Sequence, residues 1–402
     1  MSLSQDAWRR LRRNRVAMLS LWLLIAISVV AFLAPVLPLQ APDHTQTSLQ
    51  YAEPMASPFW LRTFELDVAK VADIPQEVRE LEQELTELRT KYARAANAHY
   101  QHPNDVDRQK NHDDVWEVVR RKEAEIGDTI QQPYRRLGFA QLNALSRWMI
   151  QKRYSLFGNR SINSVFGRDE LGRDMVSRVV WGARVSLIVG LVATLVSLVI
   201  GVSYGAVAGY LGGWIDDAMM RFVDVLYSIP FIFVVIFIIT ILGEESIARE
   251  LAYWGVNRIT IFFVVVGAIY WLTMSRVVRG QVISLKNELF VESARSLGAP
   301  QWRIIFIHLL PNLLSVVLVY LTLTIPRVML FEAFLSFLGL GVEPPDVSWG
   351  LLANEGIKVI TPVKIYWWLI LFPSLALGAT LLALNFLGDG VRDALDPRLR
   401  DE

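Results

Sequence analysis

The sequence predicts an all-α, polytopic membrane protein with six transmembrane helices, and three observations carry that expectation. Hydrophobic residues make up 53% of the 402, and mean hydropathy is +0.34, more apolar than an average soluble domain. Six stretches approach the roughly 20 apolar residues that a bilayer crossing needs: residues 16–37, 185–210, 222–242, 259–274, 313–334 and 365–387. Charge is nearly balanced, 40 basic against 39 acidic residues, which disfavours a nucleic-acid binder. There is no cysteine, so disulfides, thiolate catalysis and Cys-ligated metals are excluded.

Each element follows from local chemistry. WRRLRRNR precedes the first apolar stretch, but that stretch outlasts a signal-peptide core and no small-residue cleavage site follows, so it reads as a retained anchor. Arg9, Arg10, Arg12, Arg13 and Arg15 hold the N-terminus in the cytoplasm, since basic residues near helix ends stay inside. Six crossings return the C-terminus, with Arg392, Arg398 and Arg400, to the same side.

The loop after the first crossing is long, and long loops translocate largely regardless of charge. Within it Val78, Leu81, Leu85, Leu88, Tyr92 and Ala95 alternate at spacings of three and four, the mark of an amphipathic helix. Val115, Val119, Lys122, Ile126 and Ile130 suggest a second helix over residues 114–130, with HPND (residues 102–105) as the turn. An antiparallel hairpin results, either a solvated decoration or a docking surface for an extracytoplasmic partner. His99, His102 and His112 lie nearby, and turn-associated surface histidines explain them better than a metal site does.

In the second crossing Gly201, Gly205 and Gly209 recur every four residues and form a groove for a second helix. That helix could belong to this subunit or to a partner. At the inner end of the third crossing, Arg221 and Asp224 are spaced to pair on one face. The fourth crossing is the weakest, short before Ser275 and Arg276. In the fifth, Arg327 lies about 22 Å along the helix at about 1.5 Å per residue, where it either snorkels to the outer interface or lines a substrate vestibule.

Between the fourth and fifth crossings stands VESARSLGAPQWRIIFIHLLPN, residues 291–312. Helix formers run up to Leu297, Gly298 can adopt the left-handed conformation that ends a helix, and Pro300 suits the first turn of the next. Trp302, Ile305, Phe306 and Leu309 then fall on one apolar face, and Pro311 is expected to end this helix and open the fifth crossing. The product is a stiff helix, corner, helix unit on the cytoplasmic side.

Catalytic motifs are missing: no phosphate-cradling G-x-x-x-x-G-K-[ST], no H-E-x-x-H and no G-x-S-x-G. The chain is therefore read as no enzyme by itself, with no catalytic, cofactor-binding or metal-binding residues assigned.

The pattern Glu292, Ser293, Ala294, Gly298, Leu310 and Pro311 resembles the EAA motif of permease subunits in bacterial ABC importers. Ser293 replaces the usual first alanine, and His308 stands where the general motif prefers isoleucine. GRDELGRDMVSRVVWGARVSL (residues 167–187), MRFVDVLYSIPF (220–231), FEAFLSFLGLGVEPPDVSWG (331–350) and LGDGVRDALDPRLR (387–400) resemble the second, C-type permease of the dipeptide and oligopeptide branch. The resemblance covers residues 1–37 and about 166–402 and fails over the intervening insertion.

The resemblance implies a type I importer permease fold in the bacterial inner membrane. It divides the chain into a cytoplasmic N-terminus with the first crossing (1–37), an extracytoplasmic insertion (38–165) and a permease core (166–402) whose EAA loop spans about 285–311. It implies as partners a homologous second permease, two ATP-binding subunits that hold ATP and Mg, an extracytoplasmic substrate-binding protein, membrane lipid and a peptide substrate, with no nucleic acid. Glu292, Ser293, Ala294, Arg295, Gly298, Pro300, Trp302 and Pro311 become the ATPase-coupling residues, with Glu292 free to pair with Arg295 or with a partner. Nickel, glutathione and antimicrobial-peptide importers share the branch. A secondary transporter would need ion-coupling or substrate groups near the midplane, which this sequence lacks, and a membrane scaffold leaves the amphipathic corner unexplained.

Overall fold

The computed structural model describes residues 3–55, 60–62, 76–102, 105–139, 142–158, 160–242, 244, 247, 251, 258–342, 344–362 and 364–395. In chain order the helices are α1 (Leu3–Arg13), α2 (Arg15–Leu33), α3 (Gln76–Gln101), α4 (Val106–Arg136), α5 (Ala144–Phe157), α6 (Met175–Leu211), α7 (Gly213–Ser228), α8 (Phe231–Leu242), α9 (Arg258–Leu285), α10 (Leu289–Ser296), α11 (Gln301–Phe337), α12 (Trp349–Lys358) and α13 (Trp367–Leu395). Among the described residues the strands are β1 (Trp60–Arg62) and β2 (Arg160–Ile162), an antiparallel ribbon with Leu61 opposite Ser161. Two compact units form, Met1–Phe32 with Val179–Glu402, and Leu33–Arg178.

Among the described residues, four helices are long and apolar enough to cross a membrane: α2, α6, α11 and α13. The pair α7 and α8 makes a fifth span if it counts as one, although the two are bent by 83°. The third crossing is therefore not the continuous helix expected over residues 222–242. Pro230 has no N–H to donate and forces Ile229 into an extended conformation (φ −83°, ψ 125°). The weak fourth segment turns out to be part of α9, 28 residues long. Ser275 and Arg276 do not end it. These elements together are consistent with six crossings.

The glycine groove of α6 receives α9 of the same chain. A Cβ at Gly201 would lie 2.6 Å from the Met274 Cβ, and one at Gly209 would lie 2.8 Å from the Arg279 carbonyl oxygen. At Gly205 it would collide with the Ser275 carbonyl oxygen. Backbone meets backbone along this seam, so only a hydrogen atom fits. The buried cluster beside it runs from Ala206, Met274, Val278 and Val282 through Val291 and Ala294 to Ile304, Ile305, Leu309 and Leu313.

Helix α11 passes straight through Pro311. Over Ile304–Leu309 the backbone widens into a π-helical turn, and the Leu310 N–H reaches back to the Ile305 carbonyl. In an unbroken α-helix the Pro311 ring would press on the carbonyl four residues before it, and the wider turn relieves that clash. The corner's second helix and the fifth crossing are thus one helix, contrary to the expectation that Pro311 separates them.

Short helix α12 is held by polar contacts. Ser348 caps it by accepting the Leu351 N–H, the Trp349 indole N–H donates to the Val179 carbonyl at 2.9 Å, and the Trp349 N–H donates to Ser186 Oγ at 3.2 Å. Beside them Glu332, fully buried in α11, accepts the Ser336 hydroxyl at 2.7 Å. The sequence reading singled out no role for this carboxyl.

In the second unit α3 and α4 pack antiparallel around Val78, Leu85, Val119 and Ile126, flanked by Leu81, Leu88, Tyr92 and Ile130. Lys122–Glu84 (2.6 Å) and Arg89–Glu123 (2.8 Å) bridge the two helices at the surface. Asp105 caps α4 by accepting the Asp107 and Arg108 N–H groups. Pro103 and Asn104 of the expected turn lie outside the described residues. His112 contacts Asp113 (2.9 Å) and the Tyr92 hydroxyl (3.1 Å), and His99 stacks on it.

A polar knot closes this unit. Asp169 accepts from Arg173 Nε (2.6 Å) and Arg178 Nη1 (2.7 Å), and Arg173 Nη1 also donates to Asp43 at 2.9 Å. Arg168 donates to Ser164 (2.9 Å), Gln40 (3.3 Å), Asn163 and the Gly172 carbonyl. Asp174 accepts the backbone N–H groups of Ser164 and Ser177 at 2.8 and 2.9 Å. Burial nonetheless pushes this carboxyl above the ordinary Asp range.

Candidate coupling site on the helical corner

The corner begins where α9 ends and α10 starts. Gly298 takes φ +78°, its N–H donates to the Arg295 carbonyl at 3.0 Å, and the Ala299 N–H donates to the Ala294 carbonyl at 3.1 Å. That pair of bonds is a Schellman closure, which needs a left-handed residue and so favours glycine. Pro300 sits at the N-cap of the next helix in an extended conformation (φ −66°, ψ 153°) instead of within its first turn. The Arg303 and Ile304 N–H groups both reach its carbonyl, at 3.0 and 3.1 Å.

The corner has two faces. Val291, Ala294, Ile304, Ile305 and Leu309 are buried in the same cluster as the α6–α9 seam, so the inner face is part of the core. The outer face presents Leu289, Leu297 (87% exposed), Trp302 (62% exposed) and Phe306, with Glu292, Arg295 and Arg303 among them. The expected single apolar face of Trp302, Ile305, Phe306 and Leu309 is therefore split, Ile305 and Leu309 inward, Trp302 and Phe306 outward. The π turn accounts for this, because a widened turn breaks the 3.6-residue repeat on which that face was counted.

Several side chains take partners other than those the spacing suggested. Among the described residues no ion pair joins Glu292 to Arg295, whose guanidinium instead lies 5.7 Å from the centre of the Tyr210 ring. Ser293 donates its hydroxyl to the Leu289 carbonyl at 2.7 Å. Asp224 pairs with Arg276 (2.6 Å) across helices, and not with Arg221. The Arg276 guanidinium also covers the Tyr227 ring at 4.1 Å, and the Tyr227 hydroxyl meets Thr273 at 2.6 Å.

Arg279 makes a two-pronged contact with Asp216, 2.6 Å from Nε and 2.7 Å from Nη2. These contacts tie α7 to α9 just before the corner, and Lys286 adds a bond to the Gly209 carbonyl at 3.1 Å. Sequence reading missed this pairing because Asp216 and Arg279 stand 63 positions apart. The glycine seam, which seats α9 on α6 directly ahead of α7, was the available signal.

Arg327 lies far from the corner along α11, exposed, with its carbonyl accepting the Tyr270 hydroxyl at 3.2 Å. Among the described residues no group of three or more His, Cys, Asp or Glu side chains is arranged to hold a metal.

Comparison with known proteins supplies the context for this geometry. Residues 201–401 match the family of binding-protein-dependent transport system inner membrane components, and residues 2–57 match the N-terminal transmembrane domain of oligopeptide transport permease C. The dipeptide transport system permease protein of Bacillus subtilis is 45% identical over 235 residues, which cover 58% of this chain and 69% of the relative. This chain belongs to the binding-protein-dependent transport permease family.

Other relatives carry different substrate names. The oligopeptide transport system permease protein of Haemophilus influenzae is 45% identical over 235 residues, 58% of this chain and 70% of its own. The glutathione transport system permease protein of Pectobacterium atrosepticum is 41% identical over 236 residues, 58% and 72%. The permease is thus a multi-pass inner-membrane subunit of an ABC importer.

Proposed function

We propose that this permease is one half of the translocation path of an ATP-driven peptide importer, moved by an ATPase subunit that grips the outer face of the corner at α10. One observation carries the reading: the corner's inner face is continuous with the transmembrane core while Leu289, Leu297, Trp302 and Phe306 are left outside. A cluster of this kind, ringed by Glu292, Arg295 and Arg303, suits a groove on a partner protein. The Schellman closure keeps the corner from folding when it is pushed.

In this reading Glu292, Ser293, Ala294, Arg295, Gly298, Pro300, Trp302 and Pro311 form the coupling unit, and ATP and Mg reside on the partner. A push on α10 passes to α9 by covalent continuity and through Asp216–Arg279 and Asp224–Arg276 to α7. It then reaches the 83° break at Pro230. Both termini lie in the cytoplasm, residues 38–165 lie outside it, and a homologous permease and an extracytoplasmic substrate-binding protein complete the assembly. Names among the relatives support peptides of two or more residues, glutathione included. Arg327, with its exposed guanidinium, is suited to meet a substrate carboxylate.

The test is substrate-stimulated ATP hydrolysis by the reconstituted importer. Trp302→Ala with Leu297→Ala is expected to abolish stimulation while the permease still inserts and pairs with its homologue. Stimulation at the unmodified level in this variant and in Gly298→Val would remove the coupling assignment. Arg327→Gln is expected to weaken uptake only of substrates that carry a free carboxylate.

A further inference from the structure

Helix α5 stands apart from the hairpin helices beside it in sequence. Its buried face consists of Ser146, Met149, Ile150, Arg153 and Tyr154. The opposite face carries Leu145, Trp148 (53% exposed), Lys152 and Leu156 (68% exposed), at spacings of three and four that keep them on one stripe. Lys152 holds its ammonium 5.8 Å from the centre of the Trp148 ring. The hairpin's α3 and α4 are dense in Glu and Asp, whereas ALSRWMIQKRYSLF of α5 contains neither.

Two hydrogen bonds restrict where this stripe can be. Arg153, buried, donates through Nη2 to the Leu39 carbonyl at 3.1 Å and to the Arg160 carbonyl at 3.3 Å. Leu39 lies six residues after Leu33, the last residue of α2, so chain length alone holds it within about 20 Å of the end of that membrane crossing. The next residue, Gln40, accepts the Ser177 hydroxyl through its carbonyl, which ties the same strap to the first turn of α6. The stripe is therefore leashed to the ends of two membrane-crossing helices.

From this we infer that α5 lies on the bilayer as an interfacial helix, with Leu145, Trp148 and Leu156 among the upper acyl chains and Lys152 at the anionic headgroups. Tryptophan is the side chain most at home at that depth, and a cation drawn over its ring keeps its charge in the headgroup layer. The lack of acidic residues favours lipid over a soluble partner, because phosphatidylglycerol attracts a cationic helix and repels carboxylates. The inference does not depend on which substrate the importer carries or on the coupling role of α10.

The protein has no cysteine of its own, which makes the test direct. Leu145→Cys, Leu156→Cys and, at the hairpin tip, Tyr100→Cys are each labelled with an environment-sensitive fluorophore. The full chain is then assembled with its partner subunits in nanodiscs of phosphatidylethanolamine and phosphatidylglycerol. Labels at positions 145 and 156 should be quenched several-fold more by lipids brominated near the headgroup than by aqueous iodide, and the label at 100 should show the reverse ratio. Replacing phosphatidylglycerol with phosphatidylcholine should reduce lipid quenching at 145 and 156 and leave position 100 unchanged. Equal iodide access at all three positions, or protection of 145 and 156 that appears only when a soluble protein is added, overturns the inference.

Discussion

The polar knot around Arg168 and Asp169 and the paired clamps at Asp216 and Asp224 use the same chemistry toward different ends. In the knot, Asp169 serves two guanidinium groups and two backbone N–H groups at once, and all three arginines are nearly excluded from solvent. In the clamps each carboxylate serves one arginine; Arg276 and Asp224 are largely exposed, whereas Asp216 is buried and only its partner Arg279 reaches water, about one-third exposed. Buried ions with many partners hold a single arrangement, because any displacement strands charge out of water. Ions near water can exchange partners cheaply, which suits helices that must shift during transport.

The largest effect should come from breaking the knot. Asp169→Ala removes the carboxylate shared by Arg173 and Arg178 and is expected to cost about 3–5 kcal/mol, the usual penalty for splitting a buried ion cluster. The chain should fail to accumulate in membranes, as quantified by its yield in the membrane fraction. Normal yield and melting temperature would mean that the knot is not rigid in the way its burial suggests.

Next in size is the glycine seam. Gly205→Leu places a side chain against the Ser275 carbonyl and should destabilise by about 1–3 kcal/mol, typical of overpacking. The expected readout is a lower unfolding temperature for the purified permease complex. Gly298→Ala, by contrast, faces open space and strains only the backbone, so its thermal effect should be smaller.

Cutting a clamp should change stability by only about 1 kcal/mol yet alter function. In Asp224→Ala, which cuts the exposed clamp, peptide uptake per ATP hydrolysed is expected to fall several-fold, and the reversed pair, Asp224→Arg with Arg276→Asp, should restore part of it. If uptake and hydrolysis fall together in proportion, the pair acts on assembly and not on transmission.

The smallest effect is one of pH. Burial, with help from the Arg168 charge, holds the His44 imidazole below its ordinary range. Below about pH 6.5 the unfolded chain therefore takes up a proton that the folded chain refuses. Stability of the knot should decline as pH falls through that region and level off once the folded His44 also protonates. Hydrogen exchange of amides near Asp43 should report this, and His44→Gln should flatten the slope.

Much of this architecture was legible because it depends on local repetition. Alternating apolar residues from Val78 to Tyr92 mark α3, and glycines four apart mark the α6 seam, since each states a face of one helix. Features that depend on distant partners were not legible. GRDELGRD displays its charges, but not that Gln40 and Asp43, more than 120 positions away, close around them. Proline gave the most misleading signals: Pro230 breaks a span that hydropathy made continuous, and Pro311 breaks nothing. Whether the neighbouring turn can widen decides between those outcomes, and hydropathy and residue spacing do not record it. Ile305 and Phe306 were assigned to one face for the same reason.

The π turn at Ile304–Leu309 also acts as a phase shifter. A helix advances about 100° per residue, so accommodating one additional residue in a turn rotates everything beyond it by that angle relative to an uninterrupted helix. One rod can then show Trp302 and Phe306 to water at one end and seat Leu313 and Val317 in the core at the other, with no second joint between them. Rotation imposed at the corner would travel the whole rod without slack, and deleting a single residue from that turn would aim the corner in a different direction while leaving the crossing where it is.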